Sequence, residues 1–332
     1  MYGETNKVLI MNFKNTLLVF VDNFSLVYKH LLYGLIATAV GLGLCSAVVI
    51  PAMNNIMGTA QYAALRESLN ELWVAISNLE MDKLELDLST VRADVNDFLQ
   101  MFGGEKAGLV ALWSILIALA YLVYRFLVGI GNYTTGALIN DKMTLQAKSP
   151  FIGTMIKNLG KASLYNAIYV PLAFVYDVLS VLFIWAVFFK WLHFMPVLVN
   201  IFLFVTVLIA LTAVKLAFTV YWLPSLIHGK KSNASAIANN FRQSLKGFSR
   251  TFSNFLVLTL LILAVNVAAL FFTFGAGLLI TIPTSFIMLI SFQFVSYYQA
   301  MGLKFFVGGG NVVGPKKETP PTIEEFFKGE DV

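Results

Sequence analysis

Long apolar blocks alternate with polar segments along the chain, and six of these blocks are long enough to cross a membrane. A helix needs about 20 consecutive apolar residues to span the hydrocarbon core of a bilayer. The pattern predicts single spans at 31–51 and 107–130, and antiparallel pairs of spans within 164–222 and 254–301. Only the sequence Gly-Ala-Gly at 275–277 separates the last two spans, which predicts a tight hairpin.

The intervening segments complete the predicted organisation. They are the N-terminal segment 1–30, an insertion at 52–106, connections at 131–163 and 223–253, and the tail 302–332. Hydrophobic residues make up 58% of the chain and charged residues 12%, whereas a soluble domain carries about 25% charged residues. The predicted fold is therefore all-α, an integral membrane bundle of about six transmembrane helices.

The distribution of Lys and Arg predicts the orientation of the spans. Seventeen of the 23 fall near the N-terminal segment, the second and fourth connections and the tail, and five fall in the alternate connections. Basic residues concentrate on the cytoplasmic side of membrane proteins, so both termini are expected in the cytoplasm. The net charge of +5 is not gathered into a groove-binding patch, which argues against nucleic-acid binding.

The insertion 52–106 is predicted to be an external helical hairpin. It contains nine acidic and four basic residues. The first helix carries an apolar stripe at helical spacing, formed by Leu65, Leu69, Leu72, Trp73, Ile76 and Leu79. Ser89 or Thr90 is expected to cap the second helix, which ends at Gly103. The stripe either packs against the protein itself or forms a partner-binding face.

Two segments that precede spans have related sequences. Alignment of Phe13 with Phe241 also matches Leu17 with Leu245 and two further pairs of Phe. The shared spacing gives a helix with an apolar stripe and a polar opposite face, which is typical of a helix lying in the membrane interface. Residues 154–166 form a weaker third copy, so the repeating unit is an interfacial helix followed by two spans. Basic residues on these copies are expected to contact anionic inner-leaflet lipids: Lys14, Lys157, Lys161, Arg242, Lys246 and Arg250.

Repeated basic amphipathic helices and Phe-rich spans, as in NFRQSLKGFSRTFSNF at 240–255, give the chain a family resemblance. It resembles a group of bacterial membrane proteins that includes the YesL-like proteins and the membrane domain attached to some glycerophosphodiester phosphodiesterases. The resemblance implies a bacterial plasma membrane and carries no functional residue across. The external insertion departs from that group.

Asp177 and Lys215 lie inside the third and fourth predicted spans. Charges within the bilayer are costly unless they pair or face the interior of the bundle. The two spans are antiparallel neighbours, and side chains lean toward the N-terminus of their helix. The two charged groups therefore lean toward each other, which predicts an ion pair or a water-bridged pair. Such a pair either locks the packing or forms part of a solute or proton path; snorkelling of Lys215 beside a protonated Asp177 is the third alternative.

Polar residues on the last two spans are candidates for a polar cavity. They are Asn266, Ser291, Gln293, Ser296 and Gln299. The alternative is that they form hydrogen bonds between helices, which is the commoner use of such residues in membranes.

Catalytic and cofactor motifs are not found in the sequence. The three His residues are far apart, which argues against a metal site, and no phosphate-binding loop or nucleophile elbow is found. The sequence therefore predicts a non-enzymatic membrane protein, without cofactor, that binds a protein partner or lipid. The alternative is a transporter or permease for a small solute or lipid, using Asp177 and Lys215. The Pro- and charge-rich tail is expected to be flexible.

Overall fold

A computed structural model describes residues 2–78, 81–104, 106–192, 197–228 and 241–314 of the chain. The chain is almost entirely helical, with one small β-hairpin near the end. The elements are α1 (Tyr2–Asp22), α2 (Leu26–Met57), α3 (Ala60–Ser77), α4 (Met81–Gly103), α5 (Ala107–Leu145), α6 (Phe151–Trp185), α7 (Val197–Thr219), α8 (Trp222–His228), α9 (Phe248–Phe272), α10 (Leu278–Ala300), β1 (Phe305–Val307) and β2 (Asn311–Val313). A π-helical turn, Ala186–Trp191, follows α6, and residues 241–246 are helical ahead of α9.

Six helical segments are long and apolar enough to cross a membrane: α2, α5, α6, α7 with α8, α9 and α10. Large apolar side chains are exposed along all six, for example Leu35, Ile115, Leu179, Phe202, Leu260 and Ile280. A water-soluble monomer does not expose apolar surface on this scale. The protein is therefore a multi-pass, all-α membrane protein, as the sequence predicts.

Several helices are longer than the predicted spans. α5 has 39 residues, which gives a length of about 58 Å at 1.5 Å per residue, against a hydrocarbon core of about 30 Å. Much of the predicted connection 131–163 is helical, because α5 continues to Leu145 and α6 begins at Phe151. Residues 131–145 and 151–163 contain no proline, so both helices extend past the ends of the predicted spans.

The chain forms two compact units, one of Met1–Gly34 with Val128–Val332 and the other of Leu35–Leu127. In the second unit, α2 and α5 approach closely at Gly41, where an added Cβ would lie 2.7 Å from Cδ2 of Tyr124. Nζ of Lys106 donates to Oδ1 of Asn55 at 3.3 Å. This contact joins the end of α2 to the start of α5.

The insertion forms the predicted helical hairpin, in which α3 packs against α4. Thr59 caps α3 by accepting a hydrogen bond from the backbone N–H of Tyr62, and α4 ends at Gly103 as predicted. The predicted cap at Ser89 or Thr90 is wrong, because α4 begins at Met81. The segment 81–88 contains no helix-breaking residue, so the helix starts well before the two hydroxyl residues.

In the first unit, contacts between side chains bring one end of each of the six spans together. The ring of His30 contacts Thr135, and Tyr133 contacts Tyr165. Further contacts join Tyr169 to Trp222, Tyr221 to Tyr297 and Tyr298 to Asn140. We call this end of the bundle, formed by residues 26–34, 128–145, 151–166, 217–228, 248–258 and 290–300, the basic end, because Lys and Arg flank it.

The packing of α1 divides the predicted apolar stripe. α1 packs against α10 and β1. Leu17 and Phe24 of the stripe are exposed, whereas Phe20 is buried and Phe13 packs on Phe292 of α10. Four polar residues of α1 and the turn after it are also buried: Asn12, Asn15, Thr16 and Asn23. In lipid the hydrophobic effect does not drive apolar surfaces together, so polar residues of α1 pack against protein while part of its apolar stripe faces outward.

Burial at equivalent positions follows the predicted repeat. Leu17 and its counterpart Leu245 are both exposed, at 52% and 49%. Thr16 and Ser244 are both fully buried, and so are Val27 and Phe255. In the third copy, which is continuous with α6, Ile156 is exposed and Asn166 is buried. The segment 223–253 contains the second copy; its residues 229–240, including the predicted match at Asn240, lie outside the described residues.

The predicted flexible tail 302–332 is wrong in its first part. Residues 305–313 form an antiparallel hairpin in which Phe305 pairs with Val313 and Val307 with Asn311. Phe305 and Val307 are buried, and the ring of Phe305 packs 5.6 Å from that of Tyr298. Burial of two apolar side chains holds the hairpin on the bundle. Residues 315–332 lie outside the described residues.

The turn between α9 and α10 confirms the predicted tight hairpin. Gly275 has φ +88, and its N–H donates to the carbonyl of Leu270 at 2.9 Å. This is the usual way in which a left-handed glycine caps the carbonyls at the end of a helix.

Candidate functional site

The Asp177–Lys215 pair is present where the sequence predicts it. α6 supplies Asp177 and α7 supplies Lys215, and Nζ of the lysine lies 2.6 Å from Oδ1 of the carboxylate. The side chain of Lys215 is 17% exposed and that of Asp177 is 35% exposed. The pair is therefore neither fully enclosed nor fully open to the surroundings of the bundle.

Tyr176 strengthens this contact between α6 and α7. Its hydroxyl donates to the backbone carbonyl of Leu211 at 2.7 Å. Its ring centroid lies 5.9 Å from Nζ of Lys215, within the range of a cation–π contact. A hydrogen bond, a cation–π contact and an ion pair thus join one turn of α6 to neighbouring residues of α7.

The chemistry of this cluster is that of a neutral pair. Charge inside a bilayer costs several kcal/mol when unpaired, so each charged group needs the other while the helices are in this arrangement. The contact uses one donor of the ammonium and one oxygen of the carboxylate, so the remaining donors and the second oxygen can contact a solute or water. The geometry fits a packing lock between α6 and α7, and it places a titratable group in the middle of a span for a transport role.

Asn266 lies apart from the other predicted cavity residues. Its Nδ2 donates to Oγ of Ser285 at 3.1 Å, and its Oδ1 accepts from the hydroxyl of Thr281 at 2.8 Å. These bonds join α9 to the half of α10 that is remote from the basic end. Asn266 therefore forms hydrogen bonds between helices, the alternative to a cavity role.

The remaining cavity candidates lie on α10 at the basic end. Ser291 and Ser296 are buried, whereas Gln293 and Gln299 are half-buried. Among the described residues, the hydroxyl of Ser291 and both polar atoms of the Gln299 amide are buried without a hydrogen-bond partner. A buried polar group of this kind costs about 1–3 kcal/mol.

Further buried polar atoms in and beside the basic end also lack a partner within the described residues. Those in the basic end belong to Asn132, Asn166, Trp222 and Asn254, and those beside it belong to Asn12, Asn15, Ser244 and Thr259. Asn12, Asn166 and Ser244 are members of the predicted repeat, but the sequence pattern does not indicate that the set is buried as a group. The interior of the basic end is thus far more polar than the apolar composition of the spans suggests.

A hydrogen-bonded group of three side chains links this interior to His228, which is exposed. The hydroxyl of Tyr298 donates to Oδ1 of Asn140 at 2.8 Å, and its oxygen lies 3.0 Å from Nδ1 of His228. The sequence carried one signal for this group: 133–140 (YTTGALIN) and 221–228 (YWLPSLIH) share Tyr, Leu and Ile at the same spacing.

His30 forms a second buried polar contact at the basic end. Its Nδ1 lies 3.2 Å from Oγ1 of Thr135, and its ring packs against Phe286. His30 and Thr135 are both buried. This contact ties α2 to α5.

The six basic residues expected at the lipid interface are all exposed: Lys14, Lys157, Lys161, Arg242, Lys246 and Arg250. Exposed apolar residues accompany them on the same helical segments, including Leu17, Ile156 and Leu245. Their contact with anionic lipid stays a prediction.

The helical hairpin of α3 and α4 leaves much of its apolar stripe uncovered. On α3 the small residues Ser68 and Ala75 are buried, while Leu65 and Leu72 are half-buried. Leu69, Trp73 and Ile76 are exposed, with Trp73 at 67%. The stripe is wider than the surface that α4 covers. We call Leu69, Trp73 and Ile76 the α3 face.

Within the part of the chain that the structure describes, no three His, Cys, Asp or Glu residues are grouped so that they could hold a metal ion. Comparison of the chain with protein-family models, curated proteins and solved structures finds no match. The resemblance to the YesL-like proteins stays an expectation from sequence.

Proposed function

We propose that this multi-pass membrane protein is a non-enzymatic binding protein, and that the α3 face of its external hairpin binds a protein partner. The observation that carries the proposal is the exposure of Leu69, Trp73 and Ile76 at i, i+4 and i+7 on a single helix. Trp is the residue type most enriched at the energetic centre of protein interfaces. A solvated helix that served only as a connector would not need these side chains.

The acidic charge of the hairpin indicates what kind of surface its partner has. The segment 52–106 has nine acidic and four basic residues, and Glu67, Glu71 and Asp97 are exposed on the hairpin. Complementary charge steers association and disfavours wrong partners. The expected partner therefore presents an apolar patch with basic residues at its rim. The same acidic charge works against binding to an anionic membrane surface.

The proposal is tested by recovering partners of the full-length protein from native membranes in mild detergent. The decisive variant is Trp73→Gln with Ile76→Gln, and the matched control is Ala64→Gln at an exposed position on the opposite side of α3. We expect the same partner with wild type and control and about thirtyfold weaker binding with the double variant, because a hot-spot Trp contributes about 2 kcal/mol or more. Equal recovery of the partner with all three proteins would contradict the proposal that the α3 face binds it.

A second experiment distinguishes binding of a protein by the α3 face from insertion of that face into the membrane. If Trp73 inserts into lipid, brominated phospholipids quench its fluorescence in reconstituted protein. The contribution of Trp73 is the difference between wild type and Trp73→Phe. Strong quenching of that difference signal would show that the α3 face contacts the bilayer and not a protein partner.

A transporter for a small solute is the second candidate. The observation that favours it is the set of buried polar atoms without partners at the basic end, since a polar solute or a file of water would satisfy them. Asp177 and Lys215 would then form the central barrier. Uptake of small polar solutes by proteoliposomes, compared between wild type and Asp177→Asn, distinguishes transport from a packing lock.

A further inference from the structure

A cleft of about 270 Å³ lies at the basic end, where the end of α1, the end of α5 and the β-hairpin meet. Its polar lining consists of Asp22 and Asn23 from the end of α1, Lys142, Gln146 and Lys148 from the end of α5 and beyond it, and Gly309 and Gly310 from the hairpin. In the sequence, the lysines among these residues contribute only to the predicted orientation.

The two lysines make the cleft positive. Lys142 donates to the backbone carbonyl of Asp22, and an ammonium has three donors, so it can hold an anion at the same time. Lys148 is exposed and lines the same cleft. The one acidic residue, Asp22, is already engaged, because its Oδ2 accepts from the backbone N–H of Gly308 at 2.6 Å.

The hairpin turn adds backbone donors. Gly308, Gly309 and Gly310 have φ of +49, +75 and +108, a conformation that only glycine adopts without strain. Successive backbone N–H groups in turns of this kind form concave sites for anions. Gly308 already binds one anion, the Asp22 carboxylate.

We propose that this cleft binds a phosphate group, carried either by a phospholipid headgroup or by a small soluble phosphate ester. Lysine binds phosphate as a compact point charge. Two lysines and one carboxylate line the cleft, so its charge is net positive. Val19, Met143, Phe306 and Val307 complete the lining and suit the carbon stem of the ligand. The site shares no residue with the α3 face, so it is independent of the proposed function and goes beyond it.

The test uses the purified full-length protein and two probes that separate the two sources. Glycerol 3-phosphate titrated by calorimetry reports the soluble source, and phosphatidylglycerol adducts counted by native mass spectrometry report the lipid source. The variants are Lys148→Gln, whose exposed side chain contributes little to folding, and Lys142→Gln. Arg92→Gln on α4, exposed and outside both the cleft and the basic residues of the expected lipid interface, is the matched control.

We expect at least one probe to bind the wild type and the control equally, and to bind Lys148→Gln about tenfold more weakly, as loss of a hydrogen bond to a charged group implies. Weakened binding of glycerol 3-phosphate assigns a soluble ligand. Loss of the phosphatidylglycerol adduct assigns a lipid. Absence of binding, or equal binding by wild type, Lys148→Gln and control with both probes, would overturn the proposal.

Discussion

Nζ of Lys215 lies 2.6 Å from Oδ1 of Asp177, although the two residues stand at different depths on α6 and α7. Counting from the connection between the helices places them six residues apart along the axis, about 9 Å at 1.5 Å per residue. Each side chain leans toward the N-terminus of its own helix, and in an antiparallel pair those directions converge. The long lysine stem covers the remaining distance.

Breaking this pair is expected to destabilise the bundle more than removing it. Asp177→Asn or Lys215→Met alone should lower the free energy of unfolding by about 1–3 kcal/mol, less than for a fully buried pair because Asp177 is one-third exposed. The double variant should be more stable than either single one, since no unpaired charge remains. The midpoint of unfolding in mixed detergent micelles measures all three. A double variant no more stable than the single ones would contradict a stabilising pair.

The hydroxyl of Tyr298 is expected to stabilise the basic end. Tyr298→Phe removes its bonds to Asn140 and His228. It leaves Oδ1 of the buried Asn140 without this donor, at a cost of about 1–3 kcal/mol, whereas His228 is exposed and contributes little to that cost. Tyr297→Phe is the matched control, because the neighbouring hydroxyl makes no hydrogen bond within the described residues. The same unfolding assay should separate the two variants, and equal midpoints would show that the three-residue group contributes no stability.

The spans and the charge pair could be predicted because they depend on local properties. The length of an apolar run sets a span, and Asp177 and Lys215 are neighbours through one short connection. The tight turn at Gly275 and the end of α4 at Gly103 follow from glycine chemistry in the same way. In each case the deciding partners lie close together in the sequence.

The basic end could not be predicted in the same way. Tyr298 meets Asn140 from 158 positions away, and local pattern carries no information about that contact. The amphipathic pattern of α1 does not show which of its side chains pack against protein. In a membrane a polar residue such as Asn15 can be buried in the protein while an apolar residue such as Leu17 faces outward. The hairpin 305–313 forms because Phe305 and Val307 find a buried site against the bundle, which its glycine-rich sequence does not reveal.

The close packing of α2 against α5 at Gly41 predicts that a larger side chain there destabilises the protein, and Gly43 on the same helix serves as the control. A Cβ on Gly41 would lie 2.7 Å from the ring of Tyr124, whereas a Cβ on Gly43 would meet nothing within 4 Å. Gly41→Val should therefore destabilise the protein by about 1–3 kcal/mol through overpacking, and Gly43→Val should be close to neutral. Unfolding midpoints of the two variants test this. Equal effects at both positions would mean that helix propensity, not packing, decides.

Accessibility of single cysteines tests the predicted orientation. With Cys45→Ser as background, Ser77→Cys on α3 and Lys157→Cys on α6 offer exposed positions at opposite predicted faces of the membrane. A membrane-impermeant maleimide added to intact cells should label Ser77→Cys at once, and Lys157→Cys only after the membrane is permeabilised. The basic residues should hold Lys157 on the cytoplasmic side.

The pattern of labelling bears on both proposals. Labelling of both positions in intact cells would contradict six alternating spans. Labelling of Lys157→Cys alone would invert the protein, place the acidic hairpin in the cytoplasm and require a cytoplasmic partner for the α3 face. The phosphate cleft would then face outward, because Lys142 lies at the same basic end as Lys157. A soluble phosphate ester from the cytoplasm could not reach it, and a headgroup of the outer leaflet would be the remaining source.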